Sequence, residues 1–459
     1  MAGEVTQELA RFAAQLDYDR IPDSAREHCK NLLLDAVACA LAGDRGEETH
    51  QVAAFTGALA ESKESSIIGG DRRSLAGATM LNGYLITAVT MCDVHRPTLT
   101  HITPEVVPAA LVIAERDGSS GRDLLVALAA GCEVSTRIGL GWDFPEARKR
   151  GWHGPGILGP FGAAAAVGRL LGFDEETMAR AYGLAGSQAA GTFAAWGTPT
   201  VKFHQIRGAL SGLMAALLAQ QKFVATREFL TARDGGLYNT YSNGGKPEAA
   251  VAGLGKRWEL EQIALRLWPS ASTIQGFVTA MFELMEKHQP AFEQVTKIRV
   301  FMNQTGVDMH GMFPRYKGKF EALLSTHYCA AAILHDKTLS LAQFEPARYN
   351  DPKLARFAAE RVETIVDASL TGVQSVVEAG LSDGRKVSVR CEHTKGSPEN
   401  PLSRAEIEEK FRHYGKGVLP AARIEETINA ITKLEGLKST RSLMDLLRTG
   451  KEPRALKSA

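Results

Sequence analysis

The sequence predicts a mainly α-helical protein: a large all-helical domain, discontinuous because both termini belong to it, with a smaller α+β lid domain inserted. Three observations predict this. Apolar residues recur at i, i+3 and i+4 almost without a break to about residue 264. After Trp268-Pro269 the pattern alternates in twos, and from about Pro401 it turns helical again. A chain of 459 residues is long enough for two cores rather than one. The expected boundaries are 1–264 for the first helical part, 265–395 for the α+β lid domain and 396–459 for the helical return.

In chain order, helices are expected at 5–16, 23–43, 47–60, 74–92, 105–116, 121–141, 160–171, 175–193, 206–221 and 226–231. Pro22-Asp23-Ser24 and Asp174 supply helix starts. The Ala- and Gly-rich segments 160–193 and 206–219 imply thin helices packed at close range. In the inserted part, 295–303 reads as a strand, and 376–392 as two strands around Ser-Asp-Gly-Arg, a hairpin signal. Helices at 271–287, 321–334 and 353–361 accompany them. Three more follow Pro401, within SRAEIEEKFRHYG, ARIEETINAITKL and STRSLMDLLRTG.

Composition removes several function classes. Lys+Arg 53 against Asp+Glu 52 leaves a net charge of +1, without the basic excess of a nucleic-acid or membrane-surface binder. Apolar runs are broken early, as by Arg169, so no transmembrane segment is expected. The N-terminus carries acids where a signal peptide carries Lys or Arg, and the expected localisation is cytoplasmic. The six cysteines form no C-x-x-C pair and read as reduced, buried apolar residues, Cys92 alone lying beside a polar segment.

Four polar islands interrupt the helices. Cys92-Asp93-Val-His95-Arg96-Pro-Thr-Leu-Thr-His101 places two histidines, an aspartate and an arginine between apolar helices, which is costly unless they are partnered or functional. An ordinary inter-helix loop capped by Thr100 or Thr103 is the competing reading. Arg148-Lys149-Arg150-Gly151-Trp152-His153 runs into a Gly-rich turn, with a histidine held just before a helix start, where anions are favoured. Lys202-Phe-His204-Gln-Ile-Arg207 precedes a small-residue helix, and Arg266-Leu-Trp-Pro269 marks the entry to the second domain.

Together the islands supply what a polycarboxylate lyase needs. Cations neutralise carboxylates and stabilise the charge formed when an α-proton leaves. Histidine can take that proton and protonate a leaving group. Other constellations fail: there is no Walker A sequence, no HExxH and no G-x-S-x-G elbow. The glycines of GWHGPGILGPFG follow no strand. No metal is expected.

The order of these islands resembles the MmgE/PrpD family, which includes 2-methylcitrate dehydratase, cis-aconitate decarboxylase and iminodisuccinate epimerase. IPDSAREHCKNLLLDAVACALAG, DVHRPTLTHITPEVVPAALVIAE and GWHGPGILGPFGAAAAVGRLLGFDEETMARAYGLAGSQAAG carry the resemblance, which spans nearly the whole chain. It implies a large helical domain, a smaller α+β lid, a homodimer and no cofactor. It matches His101, His153 and Lys202 to family site residues, with His204 one residue closer to the lysine than usual. Where the family reads H-x-x-D-x-D-D, this chain reads Thr87-Ala-Val-Thr90-Met-Cys92-Asp93, so only the last acid survives. Arg266 stands for a family lysine, Ala271 for a histidine, and Tyr316 corresponds loosely to a tyrosine of the lid.

The expectation is therefore a cofactor-independent lyase of the dehydratase (hydro-lyase) type. Its substrate would be a small di- or tricarboxylate such as a 2-methylcitrate-like acid, attacked by α-proton abstraction. His101, His153, Lys202 and Asp93 are the candidate catalytic residues. His95, Arg96, His204, Arg207, Arg266 and Tyr316 are the candidate substrate-binding residues. Alternatives are an epimerase or isomerase, a decarboxylase, or a non-catalytic member.

Overall fold

Helix Gly154–Leu170 is the element around which the larger unit is packed: every residue from Gly154 to Gly168 is buried. Helices Val5–Gln15, Thr103–Asp117, Gly121–Gly141, Glu175–Gly186 and Thr200–Gln220 lie against it. Small residues make this possible. A Cβ on Gly212 would sit 2.4 Å from the Ala163 Cβ and 2.5 Å from the Pro160 carbonyl, so glycine there lets two backbones nearly touch. The structure, a computed structural model, describes residues 4–311 and 318–451. It divides into two units, Met1–Ala264 with Ser403–Ala459, and Leu265–Leu402.

The first unit is mainly but not wholly helical. Ser65–Ser66 pairs with Arg72–Arg73, and Val94–His95 with Ala264–Ile263, as two short antiparallel ladders that the sequence did not signal. The central helix starts at Gly154, six residues before the expected 160. Pro155 costs nothing in a first turn, whose N–H groups have no helical partner. Pro160 cannot donate to the Gly156 carbonyl, which instead accepts Ala190 N–H at 3.0 Å and Arg207 Nη2 at 3.1 Å. The loop 187–193, expected to continue a helix, is thereby tied to the start of this one.

Three further expectations are corrected. The helix expected over 74–92 ends at Thr87, and Thr90 adopts φ 56. The helix expected at 206 begins at Thr200. Residues 226–231 are not helical: the Phe229 and Leu230 carbonyls accept N–H groups of Leu237 and Tyr238, while Phe229 packs on Gly186. Helix Gly121–Gly141 is long and apolar enough by composition to cross a membrane, although no such segment was expected. It is buried in the unit, its Glu133–Arg137 pair holding the 250–260 segment.

The second unit carries a four-stranded sheet in the order Val362–Val366, Val295–Met302, Ser375–Leu381, Lys386–Cys391. The first pair is parallel and the others antiparallel. The hairpin is at the expected place; strand Val362–Val366 was missed because it follows helix Pro352–Arg361 without a turn signal. Helix Gln275–His288 covers one face of the hairpin strands, and Thr326–Asp336 packs beside it. All six cysteines are buried, as expected, Cys391 included at the end of the second hairpin strand.

Candidate active site

Asp93 organises the first island. Its carboxylate accepts the Ile102 N–H at 2.9 Å, the Thr103 N–H at 3.0 Å and the Thr103 hydroxyl, and so caps the Thr103–Asp117 helix. Neither Thr100 nor Thr103 acts as the cap residue. Burial pushes the Asp93 carboxyl up to about 6, against the pull of those three donors. The Asp93 backbone carbonyl accepts from His101 Nδ1 at 2.6 Å, fixing that ring and leaving Nε2 as its second nitrogen. The turn between them is tight: His95 and Thr100 exchange backbone hydrogen bonds, and Leu99 sits at φ 48.

His95 is wholly buried and fully used, Nδ1 with the Thr98 hydroxyl at 2.8 Å and Nε2 with Glu259 at 3.0 Å. It locks the turn to the segment before Ile263. Arg96 is half-buried at the start of the same turn.

The turn lies against the second island, since a Cβ on Gly154 would fall 2.5 Å from the Thr100 hydroxyl. His153 is the N-cap residue of the central helix and makes no side-chain cap bond. Its Nδ1 lies 2.9 Å from Nδ1 of His204, and both residues are 8 % exposed. The edge of the His153 ring meets Phe193 at 5.4 Å, and the Arg148 guanidinium stacks on Phe193 at 3.5 Å. Burial pushes His153 down to about 3, helped by the charges of His204, His101 and Arg148. His101, His153 and His204 are thus one electrostatic group, brought together from three segments.

Gly191 seats the pair. Its carbonyl accepts the His153 N–H at 3.1 Å, its φ of 133 suits only glycine, and a Cβ there would crowd the His204 ring at 3.0 Å.

Lys202 and His204, two residues apart, face different neighbours on helix Thr200–Gln220. Lys202 Nζ donates to Glu48 at 2.8 Å, the same carboxylate oxygen that accepts the Tyr84 hydroxyl at 2.7 Å. The ammonium lies 6.0 Å from the Tyr84 ring centre. Arg207 donates to the carbonyls of Gln188, Gly156 and Ala190 and to the Ser211 hydroxyl. Its guanidinium ties the 187–191 loop to the helices.

Glu105, which sequence reasoning passed over, is buried against Gly159 and Gly208. Neither of its oxygens has a hydrogen-bond partner among the described residues, and burial pushes the carboxyl well above its usual range, with Arg207 opposing. Glu48, Tyr84, Gly191 and Phe193 were also missed. None carries a local signal, because each acts through a residue distant in sequence.

In the second unit Arg266 is buried and donates to the Ser270 carbonyl at 2.9 Å. Ala271, buried beside it, donates its N–H to the Leu323 carbonyl at 3.2 Å. Tyr316 lies outside the described residues. Among the described residues no group of three or more His, Cys, Asp and Glu side chains could hold a metal ion.

Residues 7–250 match the MmgE/PrpD N-terminal domain and residues 268–435 the MmgE/PrpD C-terminal domain. The cis-aconitate decarboxylase-like protein oryM of Aspergillus oryzae is 29 % identical over 97 % of each chain. A cis-aconitate decarboxylase of Aspergillus terreus is 28 % identical over 96 % of each. The human cis-aconitate decarboxylase is 25 % identical over 99 % of this chain and 96 % of its own. Matched along both of its domains, the chain belongs to the MmgE/PrpD family.

Proposed function

We propose that the protein is a lyase acting on a small di- or tricarboxylate, and that its reaction is loss of carbon dioxide from a cis-aconitate-like acid. The observation that carries the reading is the grouping of half-buried His101 with buried His153 and His204, in a chain similar to cis-aconitate decarboxylases from end to end. Decarboxylation of such an acid breaks one C–C bond. The electron pair moves through the neighbouring alkene to a carbon bearing another carboxylate, and that carbon takes up one proton.

His153 is the group assigned to supply the proton. It is neutral in the ligand-free site, and an incoming polycarboxylate favours its charged form, so substrate itself arms the acid. His101 is the second acid/base candidate. Lys202, carried beside Tyr84, supplies positive charge for a carboxylate once Glu48 shares it. Asp93 contributes by holding the 93–103 turn, and with it His101.

Dehydration of a 2-methylcitrate-like acid, expected from the sequence, uses the same proton-transfer groups. One experiment separates the outcomes. The purified protein is incubated in deuterated water with cis-aconitate, citrate and 2-methylcitrate and followed by proton NMR. The proposal expects carbon dioxide release and one deuteron in the product. Water loss without carbon dioxide would favour dehydration, and deuterium wash-in alone would favour epimerisation. Binding across the panel without turnover would overturn the lyase reading.

A further inference from the structure

We infer that His204 does not touch substrate but is the positioning residue of His153: its Nδ1 accepts the His153 Nδ1–H and so holds His153 with Nε2 as the working nitrogen. The inference rests on the lyase reading for its catalytic consequence, and on geometry alone for the pairing. Two ring nitrogens 2.9 Å apart, buried on both sides, share one hydrogen, and one ring must accept. A histidine that becomes an imidazolium carries N–H on both nitrogens and cannot accept. If His204 were the donor, protonating His153 would set two N–H groups against each other. The contact survives proton transfer at His153 only with His204 as acceptor.

The surroundings favour the same assignment. Arg207 lies close enough to His204 to oppose its protonation, and His204 itself is lowered by burial. His153 faces Phe193, and the charges of His101 and Arg148 act on it. His204 is therefore its orienting partner, the place a carboxylate takes in many acid/base sites. A neutral acceptor holds the ring without raising its pKa as strongly as an anion would. That leaves the charging of His153 to the arriving polycarboxylate. Through the cycle the His153 Nδ1–H stays in place. The Nε2–H bond breaks as the product C–H bond forms, leaving the ring neutral, and solvent supplies the Nε2 proton again only as the next polycarboxylate binds.

Two variants and one spectrum test this. His204→Asn retains an acceptor near the Nδ1 position, and His204→Leu removes it. His204→Leu should lower kcat about 10- to 100-fold with KM changed less than about threefold. It should also move the alkaline limb of the kcat profile, set by the proton donor, to lower pH, and His204→Asn should restore most of the loss. Equal losses in both variants, or a change in KM alone, would overturn the role. Independently of any substrate, nitrogen-15 NMR of the histidines in the unliganded native chain should show His153 protonated at Nδ1. Nε2 protonation of His153 there would overturn the pairing, whatever the enzyme turns over. An Nδ1-protonated His153 in a chain inert towards every acid tested would leave the pairing standing and sink the lyase reading.

Discussion

The Gly156 carbonyl, four residues before Pro160, receives the Ala190 N–H at 3.0 Å in place of its helical donor. A proline inside the central helix thus creates the attachment point for the loop that carries Gly191. Arg207 reinforces that attachment with bonds to Gly156, Ala190 and Gln188. Arg207→Met should therefore act on stability before it acts on binding. Freed carbonyls in a mostly buried place cost about 1–3 kcal/mol, so the urea midpoint should fall. A rise in KM at unchanged stability would instead make Arg207 a substrate clamp.

Removing the imidazole of His153 tests the centre of the site. His153→Ala should reduce turnover by about 10²- to 10⁴-fold, the usual worth of a positioned acid or base. The chain should keep its circular dichroism spectrum and a cooperative thermal transition. Activity near the native level would remove His153 from the mechanism.

Asp93→Asn keeps the shape of the side chain, but its amide nitrogen cannot accept from a backbone N–H. One of the bonds to Ile102, Thr103 or the Thr103 hydroxyl is lost. The expected destabilisation is about 1–3 kcal/mol, read by urea titration. Turnover should fall with it, because His101 hangs from the Asp93 carbonyl. Full activity in a destabilised variant would show that the position of His101 is immaterial.

Gly191→Ala combines two penalties, a left-handed φ of 133 and a methyl 3.0 Å from the His204 ring. Backbone strain of this kind costs about 1–3 kcal/mol. The His153–His204 contact should loosen, seen as a change in the nitrogen-15 shifts of both rings. Unchanged shifts would mean that the loop yields rather than the pair.

Acid stability should carry the signature of His310, which bonds to the Leu324 carbonyl at 2.9 Å and to Thr273. Burial pushes it down to about 4 from the usual 6.5. Unfolding between those values lets the imidazole bind a proton, so this group's contribution is constant above pH 6.5 and falls as pH drops towards 4. Each pH unit is worth about 1.4 kcal/mol. In His310→Gln that slope should be absent. Urea titrations at pH 7, 5.5 and 4.5 measure it, and parallel pH profiles for native and variant would reject the assignment.

The helical character of the chain, the 295–302 strand and the 375–391 hairpin were legible because they depend on local period and turn residues. The helix start at Gly154 was not. Two prolines argue against a helix locally, and only Ala190 and Arg207, from other segments, compensate the lost bond. Segment 226–231 failed in the opposite sense, its apolar residues being claimed by other parts of the unit.

By itself the sequence determined the helix-forming stripes, the close-packing glycines and the presence of histidines beside cations. The tertiary structure decided which of them meet. His153 and His204, 51 residues apart, share one hydrogen, while Lys202 turns to Glu48 and Asp93 becomes a cap. The reason is physical: periodicity records which face of a helix is buried, but not which neighbour buries it. A polar group's partner is fixed only when desolvation makes one available contact cheaper than water.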